Sequence, residues 1–351
     1  MLQTHYGTQF VMAIDYDSQI PHSLPALVPK IVVTCRAFPE TLAALRAHGE
    51  VLANDTEAPW SAPRLLEACR DADAVLAFMP DSVDRAFLDV CPRLRIVACA
   101  LKGYDNFDVT ACAERGVWLT IVPDLLTEPT AELTLGLMIG LGRSVLAGDA
   151  LVRGGDFQGW RPVLYGRSID GSRIGVLGGG AVGRAIARKL SGFGCETLVH
   201  DREAAAPLPA NARWATLDDT VRTVDFLVVA LPLTPGTRHL VDAALIARTR
   251  RGTLLVNPGR GSVVDERAVA DALADGQLGG YAADVFELED WALPERPRDI
   301  DARLLADSRR TLFTPHIGSA VETVRRQIEM DAATNIIEAL RGERPHGAIG
   351  R

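Results

Sequence analysis

Gly178, Gly179, Gly180, Ala181, Val182 and Gly183 follow the apolar run 174–177. Asp201 comes 18 residues after the last glycine of that loop. Arg260, Glu289 and His316 then follow, each just after a strand-like run. In a tight strand-to-helix turn, Gly178 permits the bend. Gly180 lets backbone approach a pyrophosphate, and Gly183 lets the helix pack on the strand. The helix N-terminus, with Ala181 and Val182 in its first turn, offers unpaired N–H groups and a positive dipole end to phosphates. Asp201 ends the next strand, where a carboxylate accepts hydrogen bonds from ribose hydroxyls and repels a 2′-phosphate. NAD is therefore the expected cofactor. Arg202 could instead turn toward a 2′-phosphate, leaving room for weaker NADP use. A solvated surface arginine is the competing reading. Pro232, Thr237, Asn257, Pro258 and Asp284 lie at or near later strand ends, where the nicotinamide half is expected to bind.

His316 stands in Thr-Pro-His-Ile-Gly-Ser, at an expected domain crossover. A glutamate facing one ring nitrogen would fix its tautomer and leave the other nitrogen for proton transfer. Glu289 is the candidate. Glu287 and Asp290 compete for that role and otherwise read as solvated loop acids. Arg260 lies between two glycines, where its guanidinium has room to grip an oxyanion with two prongs. Arg251, before that strand, reads as a surface residue.

The elements that must position these groups alternate strand and helix. Strands are expected at 30–35, 74–79, 94–100 and 118–121. A second series is expected at 174–177, 197–200, 226–230, 253–257, 281–285 and 311–314. Such alternation implies α/β architecture, with two Rossmann-like domains of parallel strands and an active site in the cleft between them. A long helix over 128–153, with glycines at 136, 140, 142 and 148, is expected to connect the domains and to offer a dimer surface. A last helix over 321–341 should return to the first domain. The expected division is 29–126 plus 317–351 for the substrate domain and 127–316 for the NAD domain. Residues 1–28 contain no Lys or Arg and read as a flexible extension or an early start, with Met12 as an alternative start.

The 351 residues suffice for two domains, and 48% are hydrophobic with 23% charged, a globular balance. The net charge of −8 argues against nucleic acid and anionic membranes as partners. It also means that an anionic substrate needs a local basic site. Six cysteines contain no CxxC pair, so no metal site is expected, and they read as buried thiols of a reducing cytoplasm. No apolar stretch reaches transmembrane length.

The segments 178–183, 257–266, 284–289 and 314–319 resemble the D-isomer-specific 2-hydroxyacid dehydrogenase family, from about residue 30 onward. The resemblance implies that Arg260 binds the substrate anion, His316 is the acid/base and Glu289 pairs with it. It also implies a homodimer. One segment departs from the usual family pattern. Lys102 stands where typical members carry a small or apolar residue, beside Gly103. With Arg260 it would make a two-cation site, which suits a small anion with nearly two charges better than a monocarboxylate. The segments 78–81, 98–108, 157–160, 279–291 and 314–320 resemble the phosphite-oxidising members of that family. By this resemblance Met79 and Lys102 join the active site, and Trp160, Tyr165, Trp291 and Ser319 line or support the pocket. The implied reaction is oxidation of phosphite to phosphate, with water as nucleophile. The alternatives are a 2-hydroxyacid dehydrogenase for a glycerate- or lactate-like acid and, against the complete acid/base set, a non-enzymatic NAD sensor.

Overall fold

The computed structural model describes residues 28–204 and 207–350. The extension expected over 1–28 therefore lies outside the described residues, except for Val28.

Two sheets carry the molecule. The first contains β1 (Lys30–Val33), β2 (Glu50–Ala53), β3 (Ala74–Ala77), β4 (Ile96–Cys99) and β5 (Trp118–Thr120). The second contains β6 (Arg173–Leu177), β7 (Glu196–His200), β8 (Ala212–Trp214), β9 (Phe226–Val229), β10 (Thr253–Asn257), β11 (Leu278–Ala283) and β12 (Thr311–Phe313). A last strand, β13 (Ala348–Gly350), returns to the first sheet and pairs antiparallel with β5. The strand orders are β13-β5-β4-β3-β1-β2 and β12-β11-β10-β9-β6-β7-β8, and every other named pairing is parallel.

The apolar runs are strands because both their faces are buried. In β1, Val32 packs on one side of its sheet while Ile31 and Val33 pack on the other. In β6, Leu177 and Val176 divide in the same way. That double burial explains runs without polar alternation. The last helix, Glu322–Leu340, buries Ile328, Ala332, Ala333 and Ile336 against the first sheet. The helix Thr127–Gly142 buries Leu137, Met138 and Leu141 against the second.

Two differences from the sequence expectation have local causes. The expected helix 128–153 is two helices, Thr127–Gly142 and Val145–Arg153, bent by 63°. Ser144 adopts a left-handed φ of 52°, and Arg167 N donates to Gly142 O at 2.7 Å. The crossing chain satisfies a carbonyl that a continuous helix would have used. Strands β2 and β8 were missed because both lie at sheet edges, and neither contains a buried residue to supply an apolar pattern. All six cysteines are free thiols, five of them buried. Among the described residues, no single helix is long and apolar enough to cross a membrane.

Candidate active site

In the second sheet the connections reverse direction between β6 and β9, and the glycine loop follows β6. That crevice is where open α/β sheets bind dinucleotides. Gly178 has φ +104°, and a Cβ on it would lie 2.4 Å from Ala230 O, so only glycine fits. Gly180 begins the helix Ala181–Lys189, and a Cβ there would meet nothing within 4 Å. Open space therefore lies over the helix N-terminus, as a pyrophosphate requires. Asp201 accepts from Gly179 N at 2.7 Å and Glu203 N at 3.2 Å. Burial pushes its carboxyl up, but backbone N–H groups outweigh that and hold it below its ordinary value. Asp201 is thus a carboxylate held against the glycine loop, while Arg202 is exposed. These residues fit NAD.

The expected nicotinamide-side residues are close to β9, β10 and β11. Thr237 Oγ1 donates to Pro232 O at 2.7 Å. Asn257 Nδ2 donates to Arg260 O at 3.0 Å, and the adjoining Pro258 is buried. Asp284 also holds a neighbouring loop. Its carboxylate accepts from Thr314 Oγ1 at 2.6 Å, Ile317 N at 2.8 Å and Gly318 N at 2.8 Å. It therefore clamps the loop that carries His316. Burial, the leading cause, pushes its carboxyl up.

A cleft of about 430 Å³ opens between the two sheets. Met79 and Gly103 line it from the first half, and Arg260, Glu289, Trp291 and His316 from the second. His316 Nδ1 lies 2.6 Å from Glu289 Oε2, and the other glutamate oxygen accepts from Phe286 N at 2.8 Å. His316 has φ 55°, a left-handed conformation that strains a residue with a Cβ. Asp284 holds it there through the two residues that follow. Arg260 Nε donates to Asp105 Oδ1 at 3.0 Å, and Nη1 donates to Gly259 O at 3.0 Å. A Cβ on Gly103 would fall 1.4 Å from Arg260 Nη2, so the guanidinium occupies the space this glycine leaves.

Several expected residues stand elsewhere. Lys102 is half-buried between the lining residues Leu101 and Gly103 but does not itself line the cleft. Among the described residues it has no ion-pair partner. Ser319 is buried behind the His316 loop. Trp160 and Tyr165 were expected in the pocket, but they are 83% and 81% exposed and stay out of the cleft. They belong to the 154–171 segment, which is tied to the second half where Arg167 N donates to Gly142 O. Glu287 and Asp290 are not solvated acids. Both are buried, and their carboxylates accept backbone N–H groups of Glu266 and Ser262.

Sequence reasoning missed Asp105 and Arg325. Asp105 gave a faint signal, an acid three residues past the lysine. Arg325 gave none, because the groups it meets at the cleft lie far away in the chain. Its Nη1 donates to Ala100 O at 3.1 Å, and its guanidinium lies 6.0 Å from the ring centre of Phe78, which lines the cleft.

Known proteins resemble this chain over most of its length. The family model for the D-isomer specific 2-hydroxyacid dehydrogenase NAD-binding domain matches residues 135–318. A glyoxylate reductase of Aeropyrum pernix is 34% identical over 330 residues, covering 92% of this chain and 96% of that protein. A solved protein from Thermus thermophilus superposes with a TM-score of 0.83 at 31% identity, covering 91% of this chain and 99% of that one. An NADPH-dependent glyoxylate/hydroxypyruvate reductase of Sinorhizobium meliloti, solved with NADP and malonate, gives a TM-score of 0.78 at 28% identity. Those figures cover 92% of this chain and 96% of the Sinorhizobium protein.

Proposed function

The chain belongs to the D-isomer specific 2-hydroxyacid dehydrogenase family, and from that premise we propose NAD-dependent hydride transfer from a small oxyanion gripped by Arg260. The observation that carries this reading is the 2.6 Å His316–Glu289 contact in the same cleft as Arg260. Bound NAD⁺ supplies the hydride acceptor. Glu289 keeps a proton on Nδ1 of His316 and leaves Nε2 to receive another. Arg260, steadied by Asp105, turns its remaining N–H groups to the substrate oxygens. Placement and fixed charge then supply much of the rate.

For the substrate we infer phosphite. Lys102 stands between two residues that line the cleft and brings a second positive charge near it, and a dianion gains more from two cations than a monocarboxylate does. In this reaction water attacks phosphorus and His316 Nε2 takes the water proton. The P–O bond forms as the P–H bond breaks, and hydrogen leaves with its electron pair to the nicotinamide. The products are phosphate, NADH and a proton.

A second reading has its own support, and the comparisons favour it over phosphite. Relatives about one-third identical over nearly the whole chain are named glyoxylate reductases. On that reading the substrate is a D-2-hydroxy acid, and His316 takes the proton of its hydroxyl with no water required. Purified protein with NAD⁺ and phosphite, D-glycerate or D-lactate, and with NADH and glyoxylate, separates the two. Phosphite-dependent NADH formation with a kcat/KM at least tenfold above every hydroxy acid supports the first. Turnover confined to glyoxylate and hydroxy acids sinks phosphite and keeps the acid/base assignment.

A further inference from the structure

Behind the catalytic pair lies a buried brace that the reaction itself does not use. The turn Glu287–Glu289 and the start of the helix Glu266–Ala274 exchange carboxylates. Glu266 N donates to Glu287 Oε1 at 3.0 Å, and Glu287 N donates to Glu266 Oε1 at 2.8 Å. Both side chains are buried, with 4% and 7% of their residue surfaces exposed. The second oxygen of Glu287 lies 2.7 Å from His239 Nε2. His239 N in turn donates to Ser262 O at 2.7 Å, and Ser262 N donates to Asp290 at 2.7 Å. Between these links the two segments touch through backbone. A Cβ on Gly261 would lie 1.9 Å from the carbonyl carbon of Phe286.

The consequence is geometric. Arg260 sits immediately before Gly261, and Glu289 sits two residues after Glu287. Each catalytic group extends from a segment that the brace ties to the other. Phe286, whose N–H orients Glu289, is the residue packed on Gly261. Two buried carboxylates so close together are costly unless each is fully hydrogen-bonded. Their cost makes sense if they fix an alignment.

We propose that Glu287 is a positioning residue, acting with Glu266 and His239 to set Glu289 against His316 and to hold that pair in register with Arg260. The proposal rests on the acid/base roles argued above for His316 and Glu289. Removing the Glu287 carboxylate frees the Glu289 turn without touching substrate or cofactor contacts. Misplacement by about 1 Å at a catalytic group lowers turnover by as much as about 100-fold.

The test compares Glu287→Ala, Glu287→Gln and Glu289→Ala, assayed with whichever substrate the wild type turns over. Each variant is also crystallised. The expected result is a fall in kcat of about 10- to 100-fold in Glu287→Ala, an unchanged KM for NAD and recovery in Glu287→Gln, which keeps one acceptor oxygen. Its crystal structure should show Glu289 displaced from His316. Wild-type kcat together with an intact 2.6 Å Glu289–His316 contact in Glu287→Ala overturns the proposal. Wild-type kcat in Glu289→Ala instead overturns the underlying acid/base reading, so the two failures are distinguishable. Should Glu287→Ala not fold, His239→Ala carries the test, since it removes the side-chain link to the second oxygen of Glu287. A roughly threefold fall in kcat with a displaced Glu289 supports the brace, and an unmoved Glu289 with unchanged kcat overturns it.

Discussion

The two banks of the cleft are built differently. On the bank from the second sheet, Asp284, Glu266, Glu287 and Asp290 are all buried carboxylates that accept backbone N–H groups. They fix the loops that carry His316, Glu289 and Arg260. On the opposite bank Asp81 does comparable work, accepting from Phe78 N and the Thr34 hydroxyl, and farther back Glu329 accepts from Phe38 N. Burial pushes Asp81 up to about 6. Met79 and Gly103, which line the cleft there, and Lys102 beside them sit on loops with fewer such ties. On the proposed function, proton transfer belongs to the rigid bank and substrate choice to the lightly tied one.

Substitutions can break or sharpen that contrast. The largest effect is expected from His316→Ala, which should lower kcat by at least about 100-fold in steady-state assays. Activity within tenfold of wild type would show that the chemistry is not on the braced bank. Next, Gly103→Ala puts a methyl group where Arg260 Nη2 now lies. Because the displaced atom is the tip of a flexible side chain, substrate KM should rise about 10- to 100-fold with little change in Tm. An unchanged KM would mean that Arg260 grips the anion from another position. Lys102→Ala should raise the KM for phosphite roughly tenfold while leaving glyoxylate reduction nearly untouched. Equal effects on both substrates would remove Lys102 from the specificity argument. Asp201→Ala removes the carboxylate that repels a 2′-phosphate and leaves Arg202. The ratio of NADP to NAD efficiency should then rise about tenfold, and a constant ratio would show that Asp201 does not read the ribose.

The smallest effect concerns stability. Burial first, and then the charge of Glu287, push Glu266 up to about 7, against N–H donors from Glu287 and Asp301. Glu287, Asp301 and Tyr281 face it directly, and His239 faces it through Glu287. An unfolded glutamate titrates near ~4.3. A folded value above the unfolded one gives stability that is complete below ~4.3 and is lost as pH rises through about 7. The wild-type Tm should therefore decline between about pH 5 and pH 8, and the decline should be smaller in Glu266→Gln. Equal declines would mean that Glu266 does not titrate in this window.

The braced bank was the more legible one in the sequence. Arg260, Glu289 and His316 each follow an apolar run buried on both faces, so their positions at strand ends could be read from pattern. The loop at 178–183 announced its turn through residue type alone. The brace was not legible, because Glu266, Glu287 and His239 meet through pairings 21 and 48 residues apart. Three acids in a short run look like a solvated loop until a buried partner is visible. Trp160 and Tyr165 came to the pocket by resemblance and not by pattern, and in this structure both are largely exposed.

His316 carries a consequence for anyone who would engineer this protein. Its backbone lies in the left-handed region, where a residue with a Cβ is disfavoured by about 1–2 kcal/mol and glycine is not. A His316→Gly variant is expected to resist heat at least as well as the parent and to be inactive, as melting and turnover measured side by side would show. Directed evolution scored on thermal survival alone would therefore be drawn toward discarding the catalyst. A useful selection on this scaffold must read turnover in every round.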